Sequence, residues 1–280
     1  MNLYPIQKIL VPLDLSQSSL NALETAVSLA KKNRAILQIV NVNEPVLGRM
    51  EDYLLSSPKT TADVLNALTA AIEHAHGIKP ELIEKDGHVV ESIINAAVFE
   101  QTDLIVIGTH GASGFRENYI GSNAYNVIKH SNCPVLTIPP TKKFYSFKKV
   151  LFPVRPVTGA LARYDVVSRF LSAYASLEVL GVSNSRMDND AGVLDKIVEE
   201  IKGLLEADKV NAKASWGQGN SVSDDIFQFI QTNYPDLIVL TSVIDAISKS
   251  NFIGPHTQKL INCSKVPVLN IKKIGVPAFA

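Results

Sequence analysis

LIVIGTHGASGFRENYIGS, residues 104–122, decides how this chain folds. Leu104 to Ile107 is an apolar run with no polar alternation, the pattern of a strand buried on both faces. It runs into Gly108, with Gly111 three residues on and Gly121-Ser122 ten residues after that. A buried strand that ends in glycines and leads into a helix is how α/β folds bring backbone N–H groups up to phosphate. Without a Cβ, glycine leaves room for that approach. A helix opening at Ser122 adds unpaired N–H groups, the positive end of a dipole and a hydroxyl.

Working outward, the same alternation of short strands and helices fills the chain. Residues 8–13 read as a strand, and Ser16 as the N-cap of a helix carrying Leu20, Leu23, Ala26, Val27 and Ala30 at helical spacing. Ile36 to Val42 is a second strand, Pro45 to Ser57 a loop, and Thr60 to His76 a second helix. Glu81 to Glu84, Val89 to Glu100, Leu104 to Ile107, Ser122 to His130 and Val135 to Ile138 complete a strand–helix series. The series then repeats. Lys8-Ile9-Leu10-Val11-Pro12-Leu13 returns as Lys149-Val150-Leu151-Phe152-Pro153-Val154, an offset of 141. Asp103-Leu104-Ile105-Val106-Ile107 returns as Asp236-Leu237-Ile238-Val239-Leu240, an offset of 133. Pro134-Val135-Leu136-Thr137-Ile138 returns as Pro267-Val268-Leu269-Asn270-Ile271 at the same offset. The second copy has lost residues, and the region after its second strand is the expected place. The prediction is an α/β chain of two tandem domains, 1–143 and 144–280. Each is an open, doubly wound, five-stranded parallel sheet flanked by helices, Rossmann-like in layout. Ligands in such sheets bind beyond the carboxyl ends of the strands, where strand order reverses.

Composition narrows the function. The 280 residues carry 27 basic and 27 acidic side chains, so net charge gives no case for nucleic acid or a membrane surface. Neither half is a basic module. Two cysteines, Cys133 and Cys263, are too few for a disulfide scaffold and read as reduced, semi-buried thiols. The N-terminus has no secretory leader pattern and no run reaches a membrane span, so the expected compartment is the cytoplasm. No Cys/His cluster has zinc spacing, and neither G-x4-G-K-[ST] nor G-x-S-x-G occurs. Trp216 beside Gly217 reads as a packing residue, with part of a partner surface as the alternative.

The carboxyl edge of the first copy gathers Asp14 after the first strand, Val42 at the end of the second, and the glycine segment after the fourth. A carboxylate at Asp14 suits a ribose hydroxyl or an adenine amine. Main-chain groups at Val42 suit the edge of a base. Turn-forming glycines, and Asp14 as a helix cap, are the bland alternative for each residue taken singly.

Val11-Pro12-Leu13-Asp14, Val40-Asn41-Val42, Gly108-x2-Gly111-x9-Gly121-Ser122 and Cys133-Pro134-Val135-Leu136 together resemble the universal stress protein family. The likeness runs over both copies, so the chain resembles a tandem universal stress protein of the adenine nucleotide alpha hydrolase-like fold. The resemblance implies ATP or another adenine nucleotide, with or without Mg2+. Pro12 belongs to the strand-one motif, and Asp14 and Val42 would hold adenine and ribose. Gly108, Gly111, Gly121, Ser122 and Asn123 would wrap the ribose and phosphates, with Thr109 and His110 in the same loop. Pairing of the fifth strands, Val135 to Ile138 and Val268 to Ile271, is implied either within the chain or in a homodimer.

The second copy departs from the motif. Arg155 stands in the place of Asp14, Thr241 and Ile244 in those of Gly108 and Gly111, and Gly254-Pro255 in that of Gly121-Ser122. One nucleotide site per chain is therefore expected. Arg155 reads as a salt-bridge former, with anion binding as the alternative. No catalytic constellation and no carboxylate pair lie near the glycines, and the resemblance implies a stress-response sensor or regulator with a protein partner. In this reading ATP orders the Ala112–Ile120 loop. A slow ATPase and a nucleotide-independent interaction module are the rivals.

Overall fold

The computed structural model describes residues 6–44, 60–110, 120–140, 146–155, 164–168, 170, 175–182, 188–206, 210–217, 221–241 and 255–271. The loop 45–57, Gly111, the segment 112–119, Ile244 and Gly254 lie outside the described residues.

Strands and helices alternate from end to end. The first half runs β1 (Lys8–Pro12), α1 (Gln17–Asn33), β2 (Ile36–Asn43), α2 (Thr61–His76), β3 (Glu81–Asp86), α3 (Val89–Phe99), β4 (Leu104–Gly108), α4 (Ser122–His130) and β5 (Val135–Ile138). The second half runs β6 (Lys149–Val154), α5 (Tyr164–Ser168), β7 (Ser176–Gly181), α6 (Asp188–Leu205), β8 (Asn211–Trp216), α7 (Val222–Asn233), β9 (Leu237–Thr241), α8 (Pro255–Cys263) and β10 (Val268–Ile271). Residues 182–187 join β7 to α6 where 44–60 join β2 to α2, so the residues missing from the second copy fall at the connection expected.

Local chemistry fixes the helix ends. Ser16 caps α1, its side chain accepting from Ser19 N, and Arg34 closes the helix in the left-handed region. Thr60 and Asp63 form a reciprocal capping box on α2, and Gly77 ends that helix at φ +68°. Strand β4 and its counterpart β9 are buried along their whole length, as their unbroken apolar runs require.

The strands lie in the order β3-β2-β1-β4-β5-β10-β9-β6-β7-β8. The two expected five-stranded sheets are thus one continuous ten-stranded sheet. Every neighbouring pair is parallel except β5–β10, which is antiparallel, with Leu269 opposite Leu136. Thr137 Oγ1 donates to Val268 O at 3.1 Å, and Asn270 Nδ2 donates to Val135 O at 3.4 Å. The fifth strands therefore satisfy each other within the chain, and neither edge is left for pairing with a second copy. Helices α1, α2 and α6 cover one face of the sheet, and α3, α4, α7 and α8 the other.

The repeated Asp-Leu-Ile-Val motif has a structural job. One carboxylate oxygen of Asp103 accepts from Gln7 N at 2.8 Å and Lys8 N at 2.9 Å, tying the start of β4 to the start of β1. Asp236 makes the same clamp on Lys148 N and Lys149 N. Losing a carboxylate that pairs two backbone donors costs roughly 1–2 kcal/mol at a partly exposed site. Asp103→Ala and Asp236→Ala should each lower unfolding free energy by about that much in urea titrations.

Candidate functional site

Strand order reverses between β1 and β4, because the chain reaches β4 from β3 by crossing over to the far side of β1. The carboxyl ends of those two strands therefore diverge into separate connections and leave a crevice. A cavity of about 380 Å³ lies there. Pockets for small ligands typically hold about 300–1,000 Å³.

The expected site residues meet at this cavity from four segments. Pro12 and Asp14 come from the end of β1, and Val42 from the end of β2. Gly108, Thr109 and His110 come from the end of β4, and Gly121, Ser122 and Asn123 from the start of α4. Gly111 lies outside the described residues. The structure adds residues that local pattern does not reveal. Val89 and Ile93 of α3 supply an apolar wall, and Ser19 of α1 and Glu44 after β2 also face the cavity. Asp14 and Glu44 thus put two carboxylates on one cavity, where none were expected as a pair. Glu44 carries no motif; only the parallel pairing of β2 between β1 and β3 brings it here.

Asp14 is exposed and its Oδ1 accepts from Ser16 N at 3.0 Å, closing an Asx turn ahead of α1. Between them Leu15 has φ +60°, a conformation costing a residue with a side chain roughly 1–2 kcal/mol. Asn41 Nδ2 donates to Leu13 O at 2.7 Å, and Leu13 N donates to Val40 O at 2.9 Å. Side-chain and backbone bonds from β2 hold the strained turn in place.

Gly108 has a stricter reason to be glycine than approach to a ligand. Strand β4 continues through it, pairing Gly108 with Ile138 of β5. A Cβ placed there would strike Ser18 of α1, at 2.7 Å from its carbonyl carbon and 2.8 Å from its oxygen. The missing side chain lets α1 settle against β4. Ser18 Oγ in turn accepts from His110 N at 3.3 Å.

Thr109 N donates to Ile138 O at 3.0 Å, and Gly121 N donates to Thr109 O at 2.7 Å. The ends of the glycine segment are thereby held together. The Thr109 hydroxyl lies 2.8 Å from His110 Nδ1 and 3.4 Å from Ile138 O. Among the described residues the buried Nε2 of His110 has no hydrogen-bond partner. At the start of α4 the first intrahelical bond is Tyr125 N to Gly121 O at 3.0 Å. The N–H groups of Ser122, Asn123 and Ala124 precede it and have no partner within the helix. Such a terminus is suited to an anion.

Two groups with displaced titration lie away from the cavity. A hydrogen bond from Gln38, then Lys8, holds the Glu100 carboxyl below its ordinary value at the opposite edge of the sheet. Burial pushes the Cys133 thiol up. Cys263 is exposed, not semi-buried as its apolar surroundings in sequence suggest. Among the described residues no group of three or more His, Cys, Asp and Glu side chains could hold a metal ion. No described helix is long and apolar enough to cross a membrane.

In the second half Thr241 pairs with Ile271 as Gly108 does with Ile138, so the strand register itself sets the two positions equal. Arg155 makes no ion pair among the described residues, so the salt bridge expected of it is not seen there. Trp216 lays its ring against Gly181, where an added Cβ would lie 2.7 Å from Cε3, yet the side chain stays 41% exposed, so it is a packing residue on one face only.

Residues 5–139 match the family model of the universal stress protein family. The chain is 33% identical over 144 residues to universal stress protein YxiE of Bacillus subtilis, covering 47% of this chain and 97% of that protein. The crystal structure of a universal stress protein from Archaeoglobus fulgidus covers 96% of this chain and 99% of its own. Its TM-score is 0.72 at 23% identity, so it speaks for the fold across both halves. A solved universal stress protein in complex with cAMP is 26% identical over 48% of this chain, with a TM-score of 0.36. With a cavity at the strand-order reversal, a glycine segment leading into an open helix terminus, and a relative matched over nearly its full length, this chain belongs to the universal stress protein family.

Proposed function

We propose that residues 1–143 form a domain that binds ATP or a related adenine nucleotide, and that residues 144–280 form a second domain of the same type without such a site. The observation that carries this is the cavity itself, whose parts fit the parts of a nucleotide. Val89 and Ile93 offer an apolar wall to adenine, and main chain at Val42 offers hydrogen bonds to its edge. Asp14 suits ribose hydroxyls. The α4 terminus suits phosphate oxygens, and His110 Nε2, without a partner among the described residues, lines the same cavity.

The second half keeps the apolar wall, as Val222 and Ile226, but departs in the polar features. Arg155 replaces the carboxylate. Pro255 opens α8 without the N–H that Ser122 presents in α4. The residue in the place of Leu15 is Pro156, and a proline ring excludes φ near +60°. The nucleotide acts as a signal in the cytoplasm, and the protein is a regulator that presents a different surface to a partner with and without it. Slow hydrolysis on the same site is the rival, favoured by the two carboxylates facing the cavity.

Calorimetric titration with ATP tests the reading. Wild type should bind with one site per chain. Asp14→Ala should weaken binding roughly 10- to 100-fold, the usual worth of a charge-assisted hydrogen bond. Equal affinity in both proteins, or two sites, overturns the assignment. Phosphate release with Mg2+ that disappears in Asp14→Ala would move the conclusion to the ATPase.

A further inference from the structure

Helices α4 and α8 occupy corresponding places in the two repeats and both pack on the same face of the sheet, with Ala124, Val127, Leu260 and Ile261 in one apolar cluster. The antiparallel β5–β10 pairing sets the halves head to tail, bringing the carboxyl end of α8 to the amino end of α4. There Asn262 Oδ1 accepts from Ile120 N at 2.9 Å, across 142 residues of sequence. The partner is a donor, so the amide must present its oxygen.

This bond sits at a sensitive place. Ile120 N and Gly121 N are the two backbone donors immediately ahead of the α4 terminus. Asn262 occupies the first and Thr109 O the second. With both pegged, the direction of the next three, on Ser122, Asn123 and Ala124, is set before a ligand arrives. Pre-set donors cost no ordering on binding. The arrangement runs one way only. Repeat equivalence puts Lys129 of α4 in the place of Asn262, and an ammonium group cannot accept a hydrogen bond.

We propose that Asn262 is a positioning residue through which the second half sets the phosphate affinity of the first. This rests on the nucleotide reading above. It gives the half with the degenerate motif a role: it completes its neighbour's site.

The test compares ATP with adenosine by calorimetry on wild type and Asn262→Leu, a near-isosteric change that removes the acceptor. ATP affinity should fall roughly three- to tenfold, the worth of one such hydrogen bond, while adenosine affinity stays put. A packing role for Asn262 would not separate the two ligands. Should the leucine variant fail to fold, Asn262→Ser is too short to reach Ile120 N and takes its place. ATP affinity within twofold of wild type overturns the proposal, and so does an equal loss for ATP and adenosine. If wild type binds neither ligand, the nucleotide reading falls instead, so the two failures are distinguishable.

Discussion

Gly108→Val should destabilise the protein by about 3 kcal/mol with no ligand present, the upper end of what overpacking a tight contact costs. A single Cβ at this position already meets the carbonyl carbon and oxygen of Ser18 at 2.7 and 2.8 Å. These are backbone atoms of α1, which is itself packed on the sheet through buried Ala22, Leu23, Ala26 and Ala30. The helix cannot yield at Ser18 without lifting the rest of its apolar face. For a domain of ordinary size the melting temperature should drop by roughly 6–10 °C, measured by calorimetry without nucleotide. If Gly108 were glycine only to admit phosphate, the apo protein would melt as wild type does and affinity alone would suffer. The second half carries Thr241, a buried residue with a side chain, at the corresponding place. The loss of glycine in the second motif is therefore a change in packing as well as in ligand chemistry.

Gly121→Val should behave in the opposite way. Gly121 is the N-cap of α4 with φ −60° and ψ 148°, an extended conformation that valine adopts freely. Its N–H to Thr109 O bond survives the substitution. Stability should fall by only about 1 kcal/mol, the cost of a poor N-cap residue. The residue lines the cavity, however, and a branched side chain takes up room that the phosphates need. ATP affinity should fall roughly 10- to 100-fold, read by calorimetric titration. Unchanged affinity in a protein that melts normally would remove Gly121 from the site. The two glycines of one motif are thus expected to separate, one read in stability and the other in affinity.

That separation marks the limit of what the sequence discloses. Strand and helix positions follow from local pattern: unbroken apolar runs for β4 and β9, helical spacing after Ser16, a capping pair at Thr60 and Asp63. The gathering of Asp14, Val42 and Gly121 at one edge follows from strand alternation, because parallel strands point their carboxyl ends the same way. What local pattern does not contain is the distance between elements. Nothing near Gly108 announces that Ser18, from another helix, sits where its side chain would be. Val89, Ile93 and Glu44 lack any motif and enter the cavity only because α3 covers the crevice and β2 lies beside β1. The clamp made by Asp103 shows the reverse case. Its recurrence as Asp236 is plain in the sequence, yet its meaning lies in backbone amides of a strand almost a hundred residues earlier.

The β5–β10 junction has a consequence for how such a chain can change. In a dimer of identical subunits every substitution at a two-fold interface is made twice, so a residue must suit both its own place and its mirror image. Here Thr137 and Asn270 occupy mirrored places, and each sends its own hydrogen bond across the seam. Covalent linkage frees the two sides to drift apart, one substitution at a time. One side is able to keep a demanding ligand geometry while the other gives it up, and the seam between them tolerates the difference.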